Sequence, residues 1–337
     1  MRVAELDYCL PVEAIAQHPL EPRDASRMLV LNPATGDIAD SLIRELPCWL
    51  KPGDLLVFNK SRVSARRVFG SKGSGARVEL FLLRDVMEGT VEAIVKPAKR
   101  LKTGTIVTLE SGLSCEIVAE LEGGLRHLRF FDAATDWRSL GEIPLPPYIS
   151  RKLETEERYQ TVYADNDGSA AAPTAGLHFT PELLREIENR GVETAYVTLD
   201  VSLDTFRPMQ VEDSDEHKMH GERYEIPDAT AQAIRECKGR VIAVGTTTVR
   251  ALESAATGCA SLTAGPGETK LFITPGYEFK IVDGLLTNFH LPKSTLLLMV
   301  SALCGAERLL SAYESALQAG YRFLSFGDSM LILEERK

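Results

Sequence analysis

A block of short β-type runs in the first half of the chain constrains the fold more than any other feature. Between residues 54 and 131, seven runs rich in β-branched and aromatic residues are separated by Gly, Ser, Asp or Lys and show no helical period. The runs read DLLVFN, ARRVFG, RVELFLL, VEAIVKPA, TIVTL, SCEIVAEL and RHLRFF. Such a series predicts a β-barrel or a β-sandwich. The stretch 143–149 (IPLPPYI) has three prolines and predicts a domain edge after the block.

The rest of the chain alternates between strand and helix patterns. TPELLREIENRG predicts an amphipathic helix with Thr180 as its N-cap, Pro181 at its first position and Gly191 beyond its end. A strand (AYVTLDV), a helix (DATAQAIRECKGR), a buried strand (RVIAVG) and a helix (TTTVRALESAAT) follow, and residues 1–53 are expected to complete this α/β layer. We therefore predict a discontinuous α/β domain, residues 1–57 and 149–337, with an inserted all-β barrel domain, residues 58–148.

Composition narrows the class of protein. The chain is 44% hydrophobic and 26% charged, which is typical of globular proteins. Its longest apolar stretch, 296–303, is far shorter than the roughly 20 residues of a membrane helix, and Glu5 and Asp7 stand where a signal peptide would be basic. The six cysteines are scattered without a Cys-x-x-Cys pair. We expect a cytoplasmic monomer with free thiols and no membrane partner.

Positive charge is concentrated in the β-type block. Residues 58–102 carry eleven Lys and Arg against four Asp and Glu, although the whole chain has a net charge of -10. A β-barrel with a basic face is a platform for RNA, and a merely solvated sheet face is the alternative. The candidate RNA-binding residues are Lys60, Arg62, Lys96, Lys99, Arg100 and Lys102.

The turn after RVIAVG is the first candidate site. The predicted strand ends at Gly245, and Thr246 and Thr247 open a helix whose free N–H groups suit a carboxylate, a phosphate or a ribose. The chain has neither a P-loop nor a Gly-x-Gly-x-x-Gly fingerprint. Helix capping by a threonine is the alternative interpretation.

Two further turns each carry a histidine. AAAPTAGLHF has small residues that allow close approach to a ligand, and its His178 precedes a helix N-cap. LLTNFHLPKSTLLLMVSAL places Asn288 and His290 in a turn before a helix capped by Ser294. A packed, hydrogen-bonded histidine is the alternative in the first case. Two such turns suggest one shared crevice at the strand ends.

A metal site is not favoured by the sequence. His217 and His220 stand three residues apart, a spacing that is common by chance, and no Cys or His nearby completes a ligand set.

Several long motifs resemble those of one enzyme family. They are IAQHPLEPRDASRML, GDLLVFNKSRV, PLPPYI, RYQTVYA, AAPTAGLHFT, EHKMHGERY, VIAVGTTTVRALES, VDGLLTNFHLPKSTLLLMVSAL and YRFLSFGDSM. The chain resembles, essentially end to end, the S-adenosylmethionine:tRNA ribosyltransferase-isomerases of queuosine biosynthesis. The resemblance implies an α/β domain interrupted by a β-barrel. It also implies transfer of the ribosyl group of S-adenosylmethionine, a consumed substrate, to 7-aminomethyl-7-deazaguanine at the tRNA wobble position in the anticodon. Adenine and methionine would be released, epoxyqueuosine would be left, and no metal or other cofactor is expected.

The resemblance also suggests roles for particular residues. His178 is expected to act as base or acid, with His290 as its partner or as an orienting group. Thr246, Thr247 and Arg250 are expected to hold the methionine carboxylate or a ribose hydroxyl, and further substrate contacts are expected from Thr174, Gly176 and Asn288.

One segment departs from the family pattern. Where the family usually reads His-Val-Gly-x-Gly-Thr-Phe, this chain reads DVSLDTF from Asp200 to Phe206. Asp200 is expected to stabilise the sulfonium or a histidinium, a role open to any acid placed there.

Two other functions are compatible with parts of the sequence. A non-catalytic RNA-binding protein would use the basic barrel alone, but it leaves both histidine turns unexplained. A methyltransferase would use S-adenosylmethionine differently, but the chain lacks a glycine-rich turn after its first strand.

Overall fold

The protein divides into two compact units. The computed structural model describes residues 1–202, 208–209, 211–217, 219 and 221–334. One unit comprises Met1–Ser61, Pro146–Asn166 and Ala172–Lys337, and the other comprises Arg62–Leu145 and Asp167–Ala171. These divisions lie within a few residues of 57/58 and 148/149, and the five-residue stretch Asp167–Ala171 joins the second unit although it follows the inserted block in sequence.

The described strands are numbered in chain order. They are β1 (Arg27–Leu31), β2 (Ile38–Leu42), β3 (Leu55–Asn59), β4 (Ser61–Val63), β5 (Arg66–Lys72), β6 (Arg77–Met87), β7 (Thr90–Lys96), β8 (Ile106–Leu109), β9 (Ser114–Glu120), β10 (Leu125–Phe130), β11 (Asn166–Ser169), β12 (Glu193–Leu199), β13 (Glu222–Ile226), β14 (Val241–Val244), β15 (Ala256–Gly258), β16 (Ser261–Leu262), β17 (Gly265–Thr269), β18 (Gly284–Asn288) and β19 (Ser329–Leu333). The α-helices are α1 (Pro181–Asn189), α2 (Asp228–Glu236), α3 (Thr246–Ala255), α4 (Thr295–Cys304) and α5 (Ala306–Gln318).

A nine-stranded mixed sheet organises the first unit. Its strand order is β17-β13-β12-β3-β14-β18-β19-β1-β2, with parallel pairing of β12 with β3, β3 with β14, β14 with β18, and β1 with β19. The sequence pattern assigned DLLVFN to the β-type block. That prediction is wrong, because this segment forms β3 in the middle of the nine-stranded sheet. A strand buried on both faces reads as a continuous apolar run and gives no alternation that would identify its sheet.

Two helices of the first unit, α1 and α4, start where their capping residues predict. Thr180 Oγ1 accepts a hydrogen bond from Leu183 N at 3.1 Å, and Ser294 Oγ accepts one from Leu297 N at 3.2 Å. Each bond satisfies one of the N–H groups that a helix start leaves free. No single helix in the described part of the chain is long and apolar enough to span a membrane; α4 and α5 meet that criterion only as a pair, across a bend of 111°.

The second unit is a closed antiparallel barrel. Its strand order is β10-β7-β6-β5-β8-β9, so six of the seven runs form the barrel. Buried side chains such as Leu80, Leu82 and Leu128 fill its interior. Together with the mixed sheet of the first unit, the barrel confirms the predicted fold class.

Candidate active site

A crevice lies at the carboxyl ends of the parallel strands β14 and β18. The residues that line it are Tyr148, Ala172, Pro173, Thr174, Ala175, Val201, Gly245, Thr246, Thr247, Thr287, Asn288, Phe289, His290, Leu291, Ser294, Leu296, Leu324 and Ser325. Residues of all three predicted turns therefore line one crevice, whereas the strand-end argument predicted a shared crevice for the two histidine turns.

The start of α3 supplies N–H groups to the crevice. Gly245 is the N-cap with φ of 89°, a conformation that favours glycine, and it has no side chain to cap the helix. Capping by a threonine is therefore not what the turn does. The N–H groups of Thr246 and Thr247, the first two helical residues, have no acceptor within the helix and favour an anion. Asn59 Nδ2 donates to Thr247 Oγ1 at 3.3 Å and orients that hydroxyl.

The turn before α1 contributes only part of its predicted set. Thr174 begins a short 3-10 helix, Thr174–His178, and lines the crevice. Gly176 does not line it: a Cβ there would lie 2.0 Å from the Tyr163 hydroxyl oxygen. The glycine is thus needed for packing against Tyr163, and the structure does not bring it to the candidate ligand site.

His178 is buried behind the crevice wall. Its side chain is 4% exposed and is not among the wall residues, and its Nε2 lies 3.1 Å from Asn288 Nδ2. Burial lowers the pKa of His178 to about 3, and the positive charges of Arg322, Arg23 and Arg158 act in the same direction. The ring is therefore neutral near pH 7.

His290 lies in the crevice wall itself. Its Nε2 is 2.9 Å from Thr287 Oγ1, and its Nδ1 has no hydrogen-bond partner among the described residues. Its backbone N–H donates to the Tyr313 hydroxyl at 3.0 Å, and the Tyr8 hydroxyl donates to its carbonyl. Burial lowers the pKa of His290 to about 3. The two histidines thus share a neutral state but differ in their access to a ligand.

Two predicted residues lie outside the crevice wall. Asp200 directly precedes the wall residue Val201 but is not itself part of the wall. Arg250, on α3, forms a buried ion pair with Glu222, and its Nε donates to the Leu271 carbonyl at 3.3 Å. Its Nη2 is buried without a hydrogen-bond partner among the described residues, and Arg250 is not among the wall residues of the crevice. Residues 203–206 of the departing segment lie outside the described residues.

The described residues contain no cluster of three or more His, Cys, Asp or Glu that is placed to hold a metal ion. His217 lies against Phe272, with ring centroids 5.4 Å apart. His220, the other histidine of the EHKMH motif, lies outside the described residues.

Sequence reasoning missed two wall residues. The Tyr148 hydroxyl lies 2.7 Å from Ser325 Oγ, and both side chains line the crevice. They are 177 residues apart in the chain, so no local pattern pairs them. The available signal was that each lies in a family motif, PLPPYI and YRFLSFGDSM.

The predicted RNA-binding cations differ in their ionic environment. Lys60 belongs to the first unit and pairs with Asp165 at 3.0 Å, Lys102 pairs with Glu120 at 3.0 Å, and Lys96 lies 3.9 Å from Glu79. Arg62, in β4, is partly buried. Lys99 and Arg100 are exposed on the turn Ala98–Arg100 and have no acidic partner among the described residues. Within the barrel unit, 13 Lys and Arg face 12 Asp and Glu, so the positive charge is local to that turn rather than a property of the whole barrel.

A buried arginine, Arg126, donates hydrogen bonds to the backbone of the turn Ala98–Arg100 and of the residue after it. Arg126, on β10, is 5% exposed and donates to the carbonyls of Ala98 and Leu101 at 3.0 and 2.9 Å. The backbone that presents Lys99 and Arg100 is therefore fixed by charge-assisted hydrogen bonds.

We expect the two buried histidines, His178 and His290, to make the protein sensitive to acid. Below pH 6.5 the unfolded chain takes up a proton on each ring, whereas the folded protein does so only near pH 3. As the pH falls from 6.5 towards 3, each histidine therefore lowers the free energy of unfolding by up to about 1.4 kcal/mol per pH unit. Urea unfolding between pH 7.5 and 5 measures the slope, and His178→Gln should make it shallower by about one proton equivalent. Equal slopes in both proteins would contradict the neutral, buried state.

Comparisons with known proteins identify the family. The family model described as "Queuosine biosynthesis protein" matches residues 3–332. Proteins named S-adenosylmethionine:tRNA ribosyltransferase-isomerase are 50% identical in Halothermothrix orenii, over 99% of this chain and 100% of that protein, and 51% identical in Heliobacterium modesticaldum, with the same coverage. A crystal structure of the S-adenosylmethionine tRNA ribosyltransferase from Thermotoga maritima is 38% identical, covers 98% of this chain and 100% of its own, and has a TM-score of 0.57. The match over nearly the whole length, on top of the crevice formed by the three motif turns, shows that this chain belongs to the queuosine biosynthesis protein family.

Proposed function

We propose that the protein transfers the ribosyl group of S-adenosylmethionine to 7-aminomethyl-7-deazaguanine at the wobble position of tRNA and isomerises it to epoxyqueuosine. The observation that carries this proposal is the crevice at the ends of β14 and β18. It combines the free N–H groups of a helix start with a histidine whose Nδ1 is free to exchange a proton. The relatives that match the chain end to end are named for this activity.

The methionine part of S-adenosylmethionine is assigned to the start of α3. The carboxylate would accept hydrogen bonds from the N–H groups of Thr246 and Thr247, where the helix dipole favours negative charge. With the methionine part there, the adenosine part is assigned to the apolar part of the crevice wall, which includes Ala172, Pro173 and Leu324. S-adenosylmethionine is consumed as a substrate, and we propose that no metal or further cofactor takes part.

His290 is assigned to proton transfer. When Nε2–H donates to Thr287 Oγ1, Nδ1 is unprotonated and can accept a proton. The sulfonium acidifies the neighbouring C5′ protons, so the reaction needs a base there, and adenine needs a proton as it leaves. Neutral His290 can take a C5′ proton on Nδ1 and become an imidazolium, and it can then give that proton to the leaving adenine, which returns the ring to its neutral state.

The wobble base must reach the crevice, so we propose that the anticodon region is the part that is bound. Lys99 and Arg100 are proposed to contact its phosphates. We propose that the protein acts as a monomer in the cytoplasm.

The function is tested by incubating the protein with S-adenosylmethionine and a tRNA that carries 7-aminomethyl-7-deazaguanine. We expect adenine and methionine in equal amounts, matched by modified tRNA, and no loss of activity with EDTA. Release of S-adenosylhomocysteine would instead indicate a methyltransferase, and tight tRNA binding without adenine release would indicate the non-catalytic alternative. Activity lost with EDTA and restored by one divalent ion would indicate a metal site.

Neutralising the barrel turn should weaken the salt dependence of tRNA binding. In Lys99→Ala/Arg100→Ala, two phosphate contacts and their counterion release are lost, so the slope of log K against log salt should be shallower by about one to two. Lys102→Ala, which removes a cation already paired with Glu120, is the matched control and should change the slope less. An unchanged slope with weakened S-adenosylmethionine binding would place that ligand, and not tRNA, on the turn.

A further inference from the structure

The side-chain nitrogen of Asn288 has hydrogen-bond partners, whereas its side-chain oxygen has none among the described residues. The side chain is 2% exposed and lines the crevice at the end of β18. Its Nδ2 lies 3.1 Å from His178 Nε2, 3.3 Å from the Leu324 carbonyl and 3.4 Å from the Asp328 carbonyl. Its Oδ1 is buried and has no hydrogen-bond partner among the described residues. A buried acceptor without a donor costs free energy, and a ligand in the crevice can supply that donor.

The orientation of this amide follows from the chemistry of its neighbours. The carbonyls of Leu324 and Asp328 can only accept hydrogen bonds. Turning the amide by 180° would place Oδ1 against both of them and against the unprotonated ring nitrogen of His178. The donating branch of Asn288 must therefore face these three acceptors, which leaves Oδ1 as the branch available to a ligand.

His178 contributes the strongest of the three restraints. Because its Nε2 accepts from Asn288, its ring proton resides on Nδ1, and a protonated ring would place two donors against each other. Arg23, Arg158 and Arg322 are the positive groups that act on the ring, and all three oppose its protonation. His178 does not line the crevice, so it acts on a ligand only through Asn288.

The ligand group must be a neutral donor. The Asn288 N–H groups are already used, so a carboxylate or a phosphate would meet only Oδ1 and be repelled. The described wall residues include no Asp or Glu that would accompany an ammonium group. A ribose hydroxyl both donates and accepts, whereas the exocyclic amino group of a base donates and thus complements an isolated acceptor. Leu324 and Tyr148 supply apolar surface for a flat ring in the same wall.

Resting on the proposed function, we infer that Asn288 Oδ1 accepts a hydrogen bond from the amino edge of a purine-type base, and that His178 is the positioning residue that holds the amide for it. This base is either the adenine of S-adenosylmethionine or the 7-deazaguanine of tRNA. Both present N–H donors on one edge, so the chemistry is shared and the source is decided by experiment.

Binding measurements on both substrates test the inference. One arm compares S-adenosylmethionine with its analogue lacking the 6-amino group, in the absence of tRNA. The other compares tRNA carrying 7-aminomethyl-7-deazaguanine with the same tRNA lacking the 2-amino group of that base. We expect the wild-type protein to prefer the amino form by about 10- to 100-fold in one arm, and Asn288→Leu to bind both forms of that substrate equally. No preference in either arm, or a preference that persists in Asn288→Leu, would overturn the inference.

The positioning role of His178 has its own readout. His178→Gln retains an acceptor for Asn288 Nδ2 and should keep the preference, whereas His178→Phe should lose most of it. If His178→Gln keeps the preference but loses adenine release, His178 takes part in the chemistry and the positioning role is overturned. Ser301→Ala, which removes a buried hydroxyl bonded to the Leu298 carbonyl within α4, controls for general destabilisation and should behave like the wild type.

Failure of the inference and failure of the proposed function are distinguishable. If the wild-type protein releases adenine and modifies tRNA without preferring the amino form of either substrate, only the role of Asn288 fails. If it releases no adenine at all, the proposed function fails whatever the binding preferences are.

Discussion

His290→Phe is expected to lower kcat for adenine release by about 10²- to 10⁴-fold while the protein remains folded. The substitution keeps an apolar ring of similar size in the wall and removes only the two ring nitrogens. The contacts of the His290 backbone with Tyr313 and Tyr8 do not depend on the side chain and should hold the turn in place. Single-turnover adenine release, with binding of S-adenosylmethionine measured separately, checks the expectation.

Thr287→Val is the matched control for this substitution. It leaves the His290 ring in place and removes the hydroxyl 2.9 Å from Nε2, so it should lower kcat less than His290→Phe does. The pH profile adds a second check. Burial lowers the pKa of His290 to about 3, so this histidine does not change its charge near pH 6.5. The pH profile of kcat/KM should therefore have the same shape near pH 6.5 in the wild-type protein and in His290→Phe. Near-normal turnover in His290→Phe would remove His290 from the chemistry.

Arg250→Met is expected to lower the free energy of unfolding by about 3–5 kcal/mol. Arg250 and Glu222 are 4% and 3% exposed in their side chains, so removing the arginine leaves a buried carboxylate without its counter-charge. Urea unfolding measures the loss. Glu222→Leu should also lower the free energy of unfolding. The loss should exceed that from breaking the ion pair alone, because Glu222 also accepts a hydrogen bond from Ser202 N at 3.0 Å.

The double variant separates a structural role from a ligand-binding role. In Arg250→Met/Glu222→Leu no buried charge is left unpaired, so part of the lost stability should return. A stable Arg250→Met protein that binds S-adenosylmethionine poorly would contradict the structural role and restore Arg250 as a carboxylate ligand. Normal affinity in the double variant would agree with the position of Arg250 outside the crevice wall.

Local sequence signals predicted the features that depend on neighbours in the chain. Thr180 and Ser294 cap their helices because capping needs only the first turn of a helix. The three strand-to-helix turns were found because an apolar run followed by a capping residue is a short-range pattern. A shared crevice for the two histidine turns also followed, since the strand ends of an open α/β sheet form a crevice at one edge. The barrel was recognisable from six of its strands, whereas β3 was not separable from them.

Sequence alone determined the alternation of strands and helices between residues 180 and 255, the inserted barrel, the starts of α1 and α4 and the motifs that place the chain in its family. Only the tertiary structure decided which of the motif residues face a ligand. His178 and His290 look equivalent in the sequence. In the structure, Asn288 lies between His178 and the crevice, although the two residues are 110 positions apart, whereas His290 lies in the crevice wall. Arg250 is withdrawn from the crevice by Glu222, 28 residues away. The reason is that the charge state, burial and access of a side chain depend on partners brought together by packing, and those partners leave no local pattern in the chain.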